Sequence, residues 1–166
     1  MSTSEPLRVL FLCTGNSARS QIAEALLTAK GRGRFRVGSA GTRPADRVNP
    51  GAMEILSAHG IDWTGHRPKT IDEVQQPWDL VITVCDNARE TCPIFPGHPA
   101  FAHWGMPDPA AVDDDAERRR AFRETYVVLS RRIDLLVALP IEKLEQRAME
   151  LRVRAMAEPG LERVTS

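Results

Sequence analysis

The chain of 166 residues lacks any long hydrophobic run. No apolar stretch approaches the roughly 18 to 20 residues that a membrane-spanning helix needs. The N-terminal residues MSTSEPLR also lack the hydrophobic region of a secretory signal. We therefore expect a cytoplasmic protein that has no membrane partner.

The chain also has no net charge, because its 22 basic residues balance its 22 acidic ones. Attraction of nucleic acid or of an anionic membrane from a distance requires a basic surface. We expect no nucleic-acid partner. An anionic substrate would have to be bound by a local site.

Cysteine is scarce, with three residues at positions 13, 85 and 92. An odd, small number does not form a disulfide framework, and a reducing compartment would keep structural thiols reduced. The thiols are therefore either transient or catalytic groups, or small buried side chains. Their positions in the fold have to decide between these possibilities.

Three apolar segments predict buried strands. Residues 7–13 and 79–85 are nearly continuous apolar runs, and residues 35–39 predict a third strand. Two of the runs end on a cysteine, Cys13 and Cys85. Ligands of open parallel sheets bind beyond the carboxyl ends of the strands, so both thiols are expected at the binding edge.

Helical patterns alternate with these strands. Residues 21–30 favour a helix that ends at Gly31, Asn49-Pro50 begins a second one, and Thr70 caps a short one through Val74. The alternation predicts an α/β fold of three layers, in which helices flank a doubly wound parallel sheet with right-handed crossovers. A long helix after three aspartates is expected to face the core with Phe122, Tyr126, Leu129, Ile133 and Leu136.

Two further segments are harder to place. Residues 86–109 contain five prolines and predict a long irregular connection of functional importance. Residues 1–140 are expected to form one domain, and residues 141–166 a helical extension and tail. The extension either covers the domain or provides a surface for self-association, and its apolar residues are Ile141, Leu144, Ala148 and Leu151.

Cys13 and Arg19 are separated by five residues in a segment that follows a predicted strand and opens a predicted helix. In such a loop, consecutive N–H groups can turn inward and form an anion-binding nest. The amides, the helix dipole and the guanidinium all favour a thiolate at Cys13, and Arg19 can grip a tetrahedral oxyanion. The predicted anion-binding residues are Thr14, Gly15, Asn16, Ser17, Ala18 and Arg19.

A carboxylate that could assist such a nucleophile follows downstream. Asp108 precedes Pro109, which restrains the aspartate backbone toward extended or turn geometry. A thiolate that displaces an oxygen needs a separate group to protonate the departing atom. We therefore regard Asp108 as a candidate general acid.

The segment CTGNSARS at residues 13–20, with Asp108-Pro109, resembles the low-molecular-weight protein tyrosine phosphatase superfamily. The segment VITVCDNARETCP at residues 81–93 is similar to the thioredoxin-coupled arsenate reductases within it. Further likenesses are SAGT, VNP, HWG and His66, and the resemblance covers about Leu7 to Leu139. It implies a four-stranded parallel sheet of the phosphatase type, with residues 141–166 as an extra C-terminal helix and tail.

The resemblance also implies roles for the site residues. Cys13 attacks arsenate, Arg19 holds its oxygens and Asp108 protonates the leaving hydroxide. Cys85 then attacks the Cys13 sulfur and releases arsenite, and Cys92 resolves the Cys13–Cys85 disulfide. The product, a Cys85–Cys92 disulfide, is reduced by thioredoxin. No cofactor and no resident metal are implied.

The spacing of the last two cysteines places a demand on the backbone. A helix over residues 85–92 would separate the two α-carbons by about 10.5 Å, whereas a disulfide needs roughly 4.4 to 6.8 Å. We therefore predict that oxidation disorders residues 86–91 and exposes the new bridge.

Some relatives bind a monovalent cation beside the loop. Asn16, Glu24 and Ser39 occupy the corresponding positions here, but Lys69 stands where those relatives carry an aspartate. An ammonium group at this position could replace the cation. This hypothesis predicts turnover that does not depend on potassium.

Two alternatives remain open. A tyrosine phosphatase would use Cys13, Arg19 and Asp108 but would have no use for the other two cysteines, and it would favour aromatic side chains that are few here. A zinc-binding or thiol-sensing module would use Cys85, Cys92, His98 and His103. Its cysteines are too far apart for the usual pairing of zinc ligands.

Overall fold

The computed structural model describes residues 5–86, 99–140, 144 and 146–157. Four parallel strands form one sheet in the order β2-β1-β3-β4. The predicted doubly wound, four-stranded sheet is confirmed. Its strands are β1 (Leu7–Cys13), β2 (Phe35–Gly41), β3 (Leu80–Thr83) and β4 (Ala100–His103).

Helices flank the sheet. The α-helices are α1 (Arg19–Gly31), α2 (Pro50–Ala58), α3 (Asp115–Ala138) and α4 (Gln146–Ala155), and 3₁₀ helices cover Ile71–Val74 and Pro109–Ala111. No helix in the described ranges is long and apolar enough to cross a membrane.

The hydrophobic core lies on both faces of the sheet because successive strand residues point to opposite sides. The larger cluster joins Val9 and Phe11 of β1 to the inner faces of the α-helices. The smaller cluster joins Leu10 and Leu12 to Trp78 near the 3₁₀ helix Ile71–Val74. Burial on both faces explains why β1 reads as a continuous apolar run.

Local signals at the helix ends behave as the sequence predicts. The Asn49 side chain accepts a hydrogen bond from Gly51 N at 2.8 Å, with Pro50 in the first turn of α2. Thr70 and Glu73 form a reciprocal capping box. In α3, the buried residues include Phe122, Leu129, Ile133 and Leu136 as predicted. Tyr126 is only half-buried, and Thr125 faces the core beside it.

The long irregular connection predicted over residues 86–109 is wrong in part, because β4 lies within it. The strand sequence AFAH is short and contains two alanines, which have low strand propensity, and prolines lie on both sides of it. Pairing of β4 with β3 therefore decides its conformation. Residues 87–98 of the connection lie outside the described part of the chain.

The C-terminal helix buries other residues than the apolar ones that the sequence analysis names. Ala148 and Leu151 are exposed, whereas the buried residues of this segment are Met149, Val153 and Met156. Leu144 is half-buried, and Ile141 lies outside the described residues. The reason is tertiary: α4 packs on β4 and joins the larger hydrophobic cluster with a different face.

Candidate active site

The loop at residues 13–19 connects β1 to α1 and closes around the Cys13 sulfur, which is buried. The carbonyl oxygens of Thr14, Gly15 and Ser17 accept hydrogen bonds from backbone N–H groups within residues 43–49, at 2.9, 2.9 and 2.8 Å. These carbonyls are thereby directed outward. The backbone N–H of Asn16 points inward to the Cys13 sulfur, as the amides of an anion nest do.

The last residue of β2 has to be glycine for this packing. A Cβ atom built on Gly41 would lie 2.4 Å from the carbonyl oxygen of Thr14. Any side chain would therefore push the loop away from the sheet. Gly41 is the third residue of the SAGT segment that carries part of the family resemblance.

Two groups make hydrogen bonds to the Cys13 sulfur. The backbone N–H of Asn16 donates to it at 3.2 Å, and the hydroxyl of Ser20 lies 2.8 Å away. Asn16 has a left-handed backbone conformation with φ 48°. This conformation suits asparagine better than most residues.

The side chain of Asn16 determines which way the Ser20 hydroxyl points. Its Oδ1 accepts from the backbone N–H of Lys69 at 2.8 Å, so its Nδ2 is the group that donates to Ser20 Oγ at 2.7 Å. Because Ser20 Oγ accepts this hydrogen bond, its own proton is free to be donated to Cys13. A donated proton stabilises the thiolate more than the thiol.

Arg19 and Asp108 meet at the open side of the loop. The Arg19 guanidinium is buried and donates through Nη1 to the carbonyl oxygen of Met106 at 3.2 Å. Its Nη2 lies 3.9 Å from Asp108 Oδ2. The other carboxylate oxygen of Asp108 accepts from Ala110 N at 3.0 Å and caps the following 3₁₀ helix.

A cavity of about 180 Å³ lies above Cys13 and is lined by residues 13–19 and Asp108. None of the described residues that line it is aromatic. The Thr14 hydroxyl is buried and has no hydrogen-bond partner among the described residues. A larger cavity of about 550 Å³ lies between α2 and α3 and contains none of these residues.

Of the other two cysteines, the structure describes Cys85. Cys85 follows β3, is completely buried and is disulfide-bonded, whereas Cys13 is a free cysteine. The disulfide of Cys85 therefore does not involve Cys13. A rearrangement is predicted for residues 86–91, of which residues 87–91 lie outside the described part of the chain, as does Cys92.

The position corresponding to the cation site of some relatives is bordered by Glu24, Ser39 and Lys69. Ser39 Oγ donates to Glu24 Oε1 at 2.5 Å. Burial raises the pKa of Glu24 above its usual range, and both this hydrogen bond and the positive charge of Lys69 oppose the rise. Lys69 thus supplies positive charge to the buried carboxylate.

The described residues contain no group of three or more histidine, cysteine or acidic side chains that could hold a metal ion. His103 Nδ1 forms a hydrogen bond of 2.5 Å with Thr83 Oγ1. Burial lowers the pKa of His103, and the charge of Arg132 adds to the effect. His98 lies outside the described residues.

Several residues that support the loop have no role that their sequence context predicts. Ser20 belongs to the CTGNSARS segment, but only the fold shows its contact with Cys13. Gln21 Nε2 donates to the Asn16 carbonyl oxygen at 3.1 Å, and its Oε1 accepts from Trp63 Nε1 at 2.8 Å. Trp63 stacks on His66 with ring centroids 3.4 Å apart.

Comparison with known proteins agrees with this geometry. Residues 8–150 match the family model described as low molecular weight phosphotyrosine protein phosphatase. An arsenate reductase of Halalkalibacterium halodurans is 39% identical over 127 residues, which cover 75% of this chain and 91% of that protein.

Solved structures give the same family. The arsenate reductase of Archaeoglobus fulgidus superposes with a TM-score of 0.63 at 31% identity, covering 76% of this chain and 98% of that one. A thioredoxin-dependent arsenate reductase of Corynebacterium glutamicum gives a TM-score of 0.62 at 30% identity, covering 90% and 65%. The chain therefore belongs to the low molecular weight phosphotyrosine protein phosphatase family, and within it to the arsenate reductases.

Proposed function

We propose that the chain reduces arsenate to arsenite, with Cys13 as the nucleophile. The observation that carries the proposal is the small cavity over a buried free thiol, whose walls among the described residues are the loop and Asp108. A cavity of about 180 Å³ suits an inorganic tetrahedral oxyanion better than a phosphotyrosine ring. The names of the relatives support arsenate as that oxyanion.

The first step forms a bond between sulfur and arsenic. The Cys13 thiolate attacks arsenic(V), Asp108 donates a proton to the departing hydroxide, and water leaves. The inward loop amides and Arg19 hold the remaining oxygens during the attack. The hydroxyl of Thr14 provides a further donor for one of them.

The second step transfers two electrons to arsenic. Cys85 attacks the Cys13 sulfur, the sulfur–arsenic bonding pair passes to arsenic, and arsenite leaves as arsenic(III). Two thiols have then become a Cys13–Cys85 disulfide. Cys92 attacks Cys85, restores the Cys13 thiolate and leaves a Cys85–Cys92 disulfide.

Neighbouring strands support the transfer between the first two thiols. Leu12 of β1 is in register with Thr83 of β3, so Cys13 and Cys85 follow one and two residues later on adjacent strands. Adjacent strands lie about 4.8 Å apart. Both cysteines therefore lie at the carboxyl ends of adjacent strands, at the same edge of the sheet.

We further propose that thioredoxin reduces the final disulfide, in the cytoplasm, where thiol reductants are maintained. The Corynebacterium glutamicum relative, a thioredoxin-dependent enzyme, supports this choice of reductant. The alternative function is hydrolysis of phosphomonoesters through a phosphocysteine at the same loop. That reaction would need Cys13 and Asp108 but neither of the other cysteines.

A coupled assay tests the proposal by following NADPH oxidation with thioredoxin, thioredoxin reductase and arsenate. Cys13→Ser should abolish all turnover, whereas Cys85→Ser and Cys92→Ser should abolish arsenate turnover and leave any hydrolysis of p-nitrophenyl phosphate intact. Ser57→Ala, an exposed change on α2, is the matched control. Arsenate turnover by Cys85→Ser at the unmodified rate would contradict the relay.

A further inference from the structure

The C-terminal helix α4 pairs with the free edge of the sheet. Among the described strands, β4 pairs only with β3, so its outer backbone groups need other partners. Glu150 Oε2 accepts from Phe101 N at 3.0 Å, and Arg154 Nε donates to Phe101 O at 2.9 Å. Two side chains one helical turn apart thus satisfy both backbone groups of one strand residue.

The same helix holds Trp104, the largest of the fully buried side chains. The indole Nε1 donates to the carbonyl oxygen of Val153 at 3.0 Å. The backbone N–H of Trp104 donates to Thr83 O at 2.7 Å, and its ring lies 6.2 Å from that of Phe11. Trp104 is therefore fixed from β3, β1 and α4 together.

Trp104 begins the segment that reaches the anion loop. Residues 104–108 belong to no helix or strand, so their course depends on tertiary contacts, which include the burial of Met106 in the larger hydrophobic cluster. Two residues after Trp104, the Met106 carbonyl oxygen accepts the 3.2 Å hydrogen bond from Arg19. Two residues later, Asp108 lies 3.9 Å from the same guanidinium.

We propose that α4 is a positioning element of the active site, which acts through Trp104 to hold Asp108 over the anion loop. The proposal rests on the role of Asp108 as proton donor in the proposed function. A shift of about 1 Å in a catalytic group can cost up to a hundredfold in rate. Residues 13–18 of the loop that binds the oxyanion lie outside the segment 104–108, so substrate affinity should change less than turnover.

The test uses Trp104→Phe, which retains an aromatic ring and removes the N–H that reaches Val153. We expect kcat for arsenate to fall roughly tenfold or more, with KM changed by less than about twofold. A second variant, Glu150→Met with Arg154→Met, removes both side-chain partners of Phe101 without changing Trp104 and should act in the same direction. Leu151→Ser, on the exposed face of the same helix, is the control.

A double-mutant cycle separates positioning from simple destabilisation. If α4 acts through Asp108, Trp104→Phe should cause no further loss of kcat in an Asp108→Asn background. If Trp104→Phe lowers kcat by the same factor with and without Asp108→Asn, the two changes act independently and the proposal is overturned. So would an unchanged kcat in both α4 variants.

Amide hydrogen exchange provides a readout that needs no turnover. Faster exchange confined to Gly105, Met106 and Asp108 supports the proposal, whereas equal acceleration throughout the sheet, or no change, overturns it. If the unmodified chain fails to turn over arsenate, the proposed function fails. The exchange experiment then still decides whether α4 fixes the Asp108 segment.

Discussion

The hydroxyl of Ser20 lies 2.8 Å from the sulfur of Cys13 and is oriented by the amide of Asn16, which donates to it at 2.7 Å. The orientation is set in turn by the backbone N–H of Lys69, a group that can only donate. A proton donor is thus directed at the nucleophile from the first turn of α1. The sulfur accepts this hydrogen bond best as a thiolate.

Replacing Ser20 with alanine should therefore make Cys13 less reactive at neutral pH. A hydrogen bond to a charged group contributes about 1.5 to 3 kcal/mol, so the rate of reaction should fall roughly tenfold or more. The measurement is the rate of alkylation of Cys13 by iodoacetamide at neutral pH. An unchanged rate in Ser20→Ala would contradict the proposed direction of the hydrogen bond.

Substitutions at Asn16 should separate backbone strain from hydrogen bonding. Asn16→Gly and Asn16→Ala both lose the amide, but only alanine also resists the left-handed conformation, at a cost of about 1 to 2 kcal/mol. We expect thermal unfolding of Asn16→Ala a few degrees below that of Asn16→Gly. Equal melting temperatures for the two variants would show that the loop relaxes away from this conformation.

Potassium should have no specific effect on turnover. Lys69 places positive charge near the buried Glu24. Its position corresponds to the one where some relatives are expected to bind a monovalent cation. Arsenate turnover should be the same in potassium and sodium chloride at equal ionic strength. Lys69→Asp should acquire a potassium response, and clear potassium activation of the unmodified chain would count against a lysine that replaces the cation.

The raised pKa of Glu24 predicts how stability depends on pH. The folded chain keeps this proton at pH values where the unfolded chain has lost it, so the free energy of unfolding falls as pH rises from the unfolded pKa through the folded one. Each unit of pKa difference corresponds to about 1.4 kcal/mol.

Melting temperatures between pH 4 and 8 test this expectation. Glu24→Gln should remove the decline, and Lys69→Met should extend it to higher pH because the charge that opposes the rise is gone. Glu117→Gln changes an exposed carboxyl and serves as the control. If the melting temperature of Glu24→Gln still falls with pH as in the unmodified chain, another group causes the pH dependence.

Much of this architecture follows from local sequence. The bounds of β1 agree with the prediction because a fully buried strand leaves a continuous apolar run. The caps at Asn49 and Thr70 are read from residues that are adjacent in the chain. The loop from Cys13 to Arg19 is likewise recognisable, since its spacing and small residues lie within one segment.

Other features depend on distant contacts. β4 was not predicted because its alanines have low strand propensity, and its conformation depends on pairing with β3. The apolar residues of the C-terminal segment fall on two helical stripes, and contacts with Phe101 and Trp104, about 50 residues earlier in the chain, select the one with Met149 and Val153. The direction of the hydrogen bond between Ser20 and Cys13 depends on the backbone N–H of Lys69, which lies 53 positions after Asn16 in the chain. Only folding brings such groups together.

A single turnover without thioredoxin tests the central claim most directly. The fully reduced chain is mixed with excess arsenate, arsenite is quantified, and the disulfides are mapped by mass spectrometry. We predict one arsenite per chain, the loss of two thiols and a bridge between Cys85 and Cys92, with a Cys13–Cys85 bridge trapped in Cys92→Ser. Arsenite formed without any disulfide, or by Cys13→Ser, would contradict the account.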